Sequence, residues 1–181
     1  MSQLTAFSAL VALAERSQQL ALELPAKENA QTHWQGLGFS LLGQQFVAPM
    51  SEVAELLRVP AATRLPGVKP FVLGIANVRG KLMALLDLAA FFESENVTSL
   101  ARSQRRVLAV EGDERYIGFI IDESLGMRHF PRDAYRDEVS VEDMFKPFVS
   151  GGYEMGGAVW PVLSLASLAA DSKFENLSQS T

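Results

Sequence analysis

The feature that most constrains this chain is a match between its middle and its end. Residues 74–91 and residues 151–168 align at a constant offset. Gly74 meets Gly151, and Gly80 meets Gly157. Leu85-Leu86 meets Val162-Leu163, and Leu88-Ala89 meets Leu165-Ala166. Upstream, Gln45-Phe46-Val47 resembles Arg115-Tyr116-Ile117. One unit is therefore expected to occur twice. Paired glycines predict paired tight turns that need positive φ or close backbone approach. The apolar runs after them return to a core.

The unit reads as β. From Trp34 onward the apolar runs are short, rich in Val, Ile and Phe, and broken by Gly and Pro. Residues 37–42 and 45–49 flank Gly43-Gln44, a hairpin signature. Residues 71–78 and 81–86 flank Arg79-Gly80. Residues 106–110 and 116–121 flank a turn at 111–115, and 159–163 form another run. Residues 51–57 read as a helical turn. Residues 93–105 and 132–143 read as polar connections. Many short, closely spaced strands favour small barrels over βαβ units.

The repeat also bears on Asp87, which follows a strand, where catalytic carboxylates often sit. Its counterpart is Ser164. A general base could not become serine and keep its role. A helix N-cap could, because each side chain offers an oxygen to free backbone N–H groups. Asp87 and Ser164 are therefore read as caps of short helices.

Before the β region, residues 4–22 carry apolar residues at helical spacing: Leu4, Phe7, Val11 and Ala14. Pro25 ends the pattern, and residues 26–33 read as a polar linker. The helix could dock on the domain or on a partner, or lie on a membrane surface. A single basic residue, Arg16, speaks for the first, because membrane-surface helices are usually rich in Lys and Arg. The start lacks the basic n-region of a signal peptide. No stretch reaches the roughly 20 apolar residues of a membrane span. Residues 171–181 read as a polar tail. The organisation expected is thus a helix and linker over 1–33, a β domain over 34–170 and a tail over 171–181.

Formal net charge is −5. That sign repels phosphate backbones, so nucleic acid is not an expected partner. Cysteine is absent, which removes disulfides and thiolate metal sites and fits a reducing compartment. His33 and His129 are the only histidines, and neither has carboxylates at metal-ligand spacing. No phosphate-binding glycine loop or nucleophile elbow is present. Asp122-Glu123 is a carboxylate pair, but adjacent residues of an extended segment point to opposite faces, and such pairs are usually solvated. Arg102, Arg105 and Arg106 read either as a solvated loop or as a contact for an acidic partner. No catalytic residue, metal or cofactor is expected.

The segment Gly74-Ile75-Ala76-Asn77-Val78-Arg79-Gly80-Lys81-Leu82-Met83-Ala84-Leu85-Leu86-Asp87-Leu88 resembles the signature of the CheW-like family. That signature is a glycine, an Asn-x-Arg-Gly turn, an apolar strand, then Asp-Leu. Glu52-Val53-Ala54-Glu55-Leu56 resembles the family's helical turn, and Ile117-Gly118-Phe119-Ile120-Ile121-Asp122-Glu123 its glycine-containing strand. Ala84 stands where the signature usually has proline; the second copy keeps one, Pro161. The resemblance implies a mainly β fold of two SH3-like five-stranded barrels with short helices. It also implies a cytoplasmic, non-enzymatic adaptor that joins the regulatory domain of a CheA-like histidine kinase to the cytoplasmic tip of a methyl-accepting chemoreceptor. The N-terminal extension and Trp34-Gln35-Gly36-Leu37-Gly38-Phe39 look most like the type IV pilus, or twitching-motility, branch.

On this resemblance Arg79 leads as a partner-binding residue, since its planar fork suits carboxylates and carbonyls. A surface arginine with local contacts is the plain alternative. Asn77 is expected to fix the turn through its side chain. Val53 and Glu55 match the segment that faces partners, against ordinary packing and solvation. A small-ligand sensor module or a small enzyme on a β-barrel scaffold are the competing functions. A closed apolar cavity would favour the sensor, and a pocket of convergent polar groups the enzyme.

Overall fold

Three two-residue turns set the β framework. Each places two consecutive residues at positive φ: Leu42 (53°) and Gly43 (79°), Arg79 (52°) and Gly80 (84°), Gly156 (62°) and Gly157 (79°). That pattern matches the right-handed twist of the strands it joins. The computed structural model describes residues 33–92, 101, 103–112, 115–175 and 177. The described residues from Gln35 onward belong to one compact unit. The expected N-terminal helix and linker lie outside the described residues.

The first turn joins β1 (His33–Leu41) to β2 (Gln44–Pro49), with Leu41 opposite Gln44. The turn pair is thus Leu42-Gly43, one residue before the Gly43-Gln44 expected. A three-residue 3-10 turn, Met50–Glu52, follows, and then β3 (Glu55–Arg58). The helical turn expected over 51–57 is therefore confined to its start. Tertiary pairing overrides local propensity here: the Ala54 N–H donates to the Ala109 carbonyl at 2.8 Å, and Leu56 pairs with Leu108.

The second turn joins β4 (Val72–Val78) to β5 (Lys81–Asp87), and α1 (Leu88–Phe91) follows directly. Next come β6 (Arg106–Glu111), β7 (Tyr116–Ile121), β8 (Glu123–Pro131) and the two-residue β9 (Tyr135–Arg136). The third turn joins β10 (Val149–Met155) to β11 (Ala158–Leu163), which runs into α2 (Leu165–Ala169) and α3 (Ser172–Glu175).

The duplication is visible in detail. Both late hairpins carry a register irregularity near their paired glycines, between Val72 and Gly74 and between Val149 and Gly152. Gly74 and Gly151 have φ of 141° and 134°. A Cβ on Gly74 would collide with the Thr63 carbonyl, and one on Gly151 with the Tyr135 hydroxyl. The Asp87 and Ser164 N–H groups donate to the Phe71 and Phe148 carbonyls.

The two copies are exchanged. One sheet runs β3-β6-β7-β5-β4 and the other β8-β1-β2-β11-β10-β9. The first hairpin of each copy therefore pairs with strands of the other. β5 runs parallel to β7, and β11 parallel to β2. The mainly β, two-barrel fold is as expected, with the short β9 making the second sheet six-stranded.

Many strands are buried on both faces, which explains their unbroken apolar runs. In β6, Val107 and Ala109 point into the five-stranded barrel with Ala76, Met83, Leu85 and Ile120. Leu108, between them, joins a larger core shared by the two barrels, with Phe39, Phe46, Phe119, Phe145 and Leu163. Phe130, Tyr153 and Trp160 stack inside the six-stranded barrel. Within the span expected as a polar tail, Ser172–Glu175 form α3, and Phe174 is buried and stacks on Phe91 at 4.3 Å.

Candidate functional site

The Arg79-Gly80 turn stands at one end of the five-stranded barrel, where four strand ends bring charges together. The Asn77 side-chain oxygen accepts the Gly80 N–H at 2.9 Å and closes the turn. The Arg79 guanidinium meets Glu55 on β3 at 2.6 Å, and its side chain remains 78% exposed. Beside it, Lys81 on β5 pairs with Glu111 on β6. That hydrogen bond holds the Lys81 ammonium above its ordinary value. Tyr116 on β7 lies under Lys81, 5.9 Å from ammonium to ring centre. Burial, then the carboxylates of Glu55 and Glu111, push the Tyr116 hydroxyl up.

The fold thus brings Arg79, Glu55 and Asn77 together. Arg79 is not a lone cation, because Glu55 engages one nitrogen of its fork. Val53 is half-buried and packs against the shared core, which is the ordinary packing weighed for it. Asp87 accepts from the Ala89 and Ala90 N–H groups at the start of α1. Ser164 accepts from the Ser167 N–H at the start of α2.

Two expectations are corrected. Arg105 is not part of a solvated loop. It is 7% exposed and grips Asp87 with two hydrogen bonds, 2.6 and 2.9 Å. Asp122 is 5% exposed, and its Oδ2 accepts the Leu42 N–H at 2.8 Å. Neighbours in sequence do take opposite sides: the Arg106 guanidinium turns to local backbone carbonyls, and Glu123 is exposed.

Sequence reasoning also missed Glu52. Its carboxylate accepts from the Ser164 hydroxyl at 3.1 Å and the Ala166 N–H at 3.0 Å, adding a second cap to α2. Glu52 lines a groove of about 670 Å³ between the barrels, with Ser51, Glu111, Arg115, Ile117 and Ala166. Most of that lining is exposed, so this is an open groove and not a closed cavity.

A second missed feature is a duplicated set of exposed apolar side chains. Leu82 follows its turn by the same step as Val159 follows its own. Leu56 lies as far beyond Val47 as Met127 lies beyond Gly118. Val47 and Gly118 are equivalent, because they pair with Val162 and Leu85 of the matched β11 and β5. All four side chains are exposed: Leu56 41%, Leu82 69%, Met127 55% and Val159 48%. The constant glycine offset leads from Leu82 to Val159; Leu56 and Met127 correspond only through the strand pairing.

Among the described residues no group of His, Cys, Asp or Glu is placed to hold a metal ion. Nor is any described helix long and apolar enough to cross a membrane.

Two exchanged barrels that carry exposed apolar side chains at equivalent positions, with no metal cluster among the described residues, define a duplicated β-barrel module. The family model for the CheW-like domain matches residues 35–173, and the chain belongs to that family of scaffold and adaptor proteins. It is 43% identical to Protein PilI of Pseudomonas aeruginosa over 171 residues, 94% of each chain. It is 32% identical to Protein FrzA of Myxococcus xanthus over 84 residues, 46% of this chain and 51% of that one. The crystal structure of scaffolding protein TtCheW from Thermoanaerobacter tengcongensis shares the fold, with a TM-score of 0.68 at 21% identity over 81% of this chain and 99% of that one.

Proposed function

We propose that this chain is a cytoplasmic, non-enzymatic adaptor that couples a methyl-accepting chemoreceptor to a CheA-like histidine kinase. We place it in a pathway controlling type IV pilus twitching motility, at membrane receptor arrays reached through its partners. The similarity to PilI supports the pathway. The duplicated apolar side chains carry the adaptor reading: Leu56 and Leu82 on one barrel, Met127 and Val159 on the other. A module with two equivalent docking ends holds two partners at a fixed spacing. Each contact is expected to bury about 800 Å² per side or less, with the apolar pair as its centre and charges such as Arg79, Glu55 and Lys81 as its rim. Coupling then follows from differential binding to two receptor states.

The test is reconstitution. Purified full-length protein is titrated separately with the kinase regulatory domain and with the receptor tip, and kinase autophosphorylation is followed with all three present. Binding to each partner and receptor-dependent kinase activity are expected. An absence of binding to either partner would remove the adaptor reading.

A further inference from the structure

Among the described residues the two buried charged side chains, Arg105 and Asp122, sit at one place, the joint between the two barrels. Arg105 leads into β6 and clamps Asp87 at the end of β5, both in the five-stranded barrel. Asp122 is the crossover residue between β7 of that barrel and β8 of the other. Its Oδ2 holds the Leu42 N–H, and its own N–H donates to the Ser40 carbonyl at 3.1 Å, both in the β1–β2 hairpin of the six-stranded barrel. The remaining atoms of the pair face each other across the joint. Arg105 Nε and Asp122 Oδ1 are 3.6 Å apart, too far for a hydrogen bond, and neither has another partner.

A buried ion pair with unsatisfied atoms is a poor way to gain stability. Apolar side chains of similar volume often serve better, and the best-attested use of buried charge is to specify one geometry. The shared core around the pair is aromatic and aliphatic, and non-directional contacts tolerate sliding; other directional bonds across the halves, those of Lys69 to the Leu177 and Lys173 carbonyls, lie at the exposed edge.

The geometry points to Arg105 and Asp122 as positioning residues that fix the angle between the two docking ends. This rests on the adaptor reading for its consequence, but the joint itself is measurable without partners. An adaptor transmits only if its two ends move as one body. A looser joint leaves each docking surface intact and lets a receptor shift dissipate between them.

The chain has no cysteine, so spin labels can be placed at Ala61→Cys and Ala158→Cys alone. Both residues are exposed, one on each barrel. Pulsed dipolar spectroscopy then reads the inter-barrel distance distribution in the parent, in Asp122→Asn and in Arg105→Lys. Asparagine keeps an oxygen for the Leu42 N–H and removes the charge facing Arg105. Lysine keeps the charge and loses the fork. Both distributions are expected to broaden. Single-partner affinities should stay within about twofold, and receptor control of the kinase should fall roughly tenfold. An unchanged distribution in either folded variant would overturn the inference. So would unfolding of both, which would assign the pair to global stability. If the parent itself couples nothing, the adaptor reading fails, and the distance distributions still decide the joint.

Discussion

Replacing Arg79 by alanine separates docking from folding. The side chain is 78% exposed and has a single ion-pair partner, Glu55. An exposed pair of this kind contributes about 0.2–1 kcal/mol. Alanine keeps the left-handed backbone that the turn requires at this position, so no strain is relieved. For a chain of this length 1 kcal/mol shifts Tm by about 2–4 °C, and the loss should stay within that. At a partner interface an arginine anchor is worth about 1–2 kcal/mol or more, roughly tenfold or more in Kd. Thermal melts and calorimetric titrations with each partner read the two effects apart. Glu55→Gln should lower affinity less, because it removes the clamp on the guanidinium and not the guanidinium itself. A folded Arg79→Ala protein that binds both partners as tightly as the parent would refute the role given to this turn. A Tm fall of about 10 °C would refute the exposure argument instead.

The glycines make a contrasting prediction. Gly80→Val meets no neighbour within 4 Å but must hold φ near 84°, so it should cost about 1–2 kcal/mol in chemical denaturation. Gly74→Ala adds a clash with the Thr63 carbonyl and should cost more, with loss of the Thr63–Ile75 bridge visible in amide exchange. Phe174→Ala should destabilise by about 3 kcal/mol in urea, since the ring is 3% exposed among Phe71, Phe91 and Phe119; a negligible change would mean the segment after Asp171 is not docked. Burial raises the hydroxyls of Tyr116 and Tyr153. The unfolded chain then ionises first, so this stability is complete below about pH 10 and is lost as pH rises through the folded-state values. Tyr116→Phe should flatten that alkaline decline.

What was legible in the sequence was local. Gly80, Gly157, Asp87 and Ser164 act on backbone groups one to three residues away, and local chemistry demands those residue types. What was not legible depends on neighbours far along the chain. Arg105 and Arg106 differ by one position, yet Asp87, which clamps the first, lies on another strand. Residues 51–57 have a helical composition, and only β6, some fifty positions on, makes those from Glu55 onward extended. The exposed apolar positions needed the repeat to be read through its strands and not only through its glycines.

The exchange of the two copies has a mechanical consequence. Because β1 and β2 pair with β8 and β11, the six-stranded barrel is built from two separated stretches of chain that flank the continuous stretch of the five-stranded one. The chain crosses between them after β2 and again after β7. Among the largest fully buried side chains, only Phe130, Met83 and Leu85 lie outside the shared core. Opening one barrel therefore exposes the core on which the other is built. Unfolding should be a single transition, with the near-ultraviolet signal of Trp160 in the six-stranded barrel and amide protection of β6 in the five-stranded barrel lost together. A fragment of residues 55–121, which holds every strand of the five-stranded sheet, should stay unfolded in isolation, because the six-stranded half that covers its outer face is missing. A cooperative melt of that fragment, or two resolved transitions in the full chain, would show that the barrels are separable and that the shared core does not unite them.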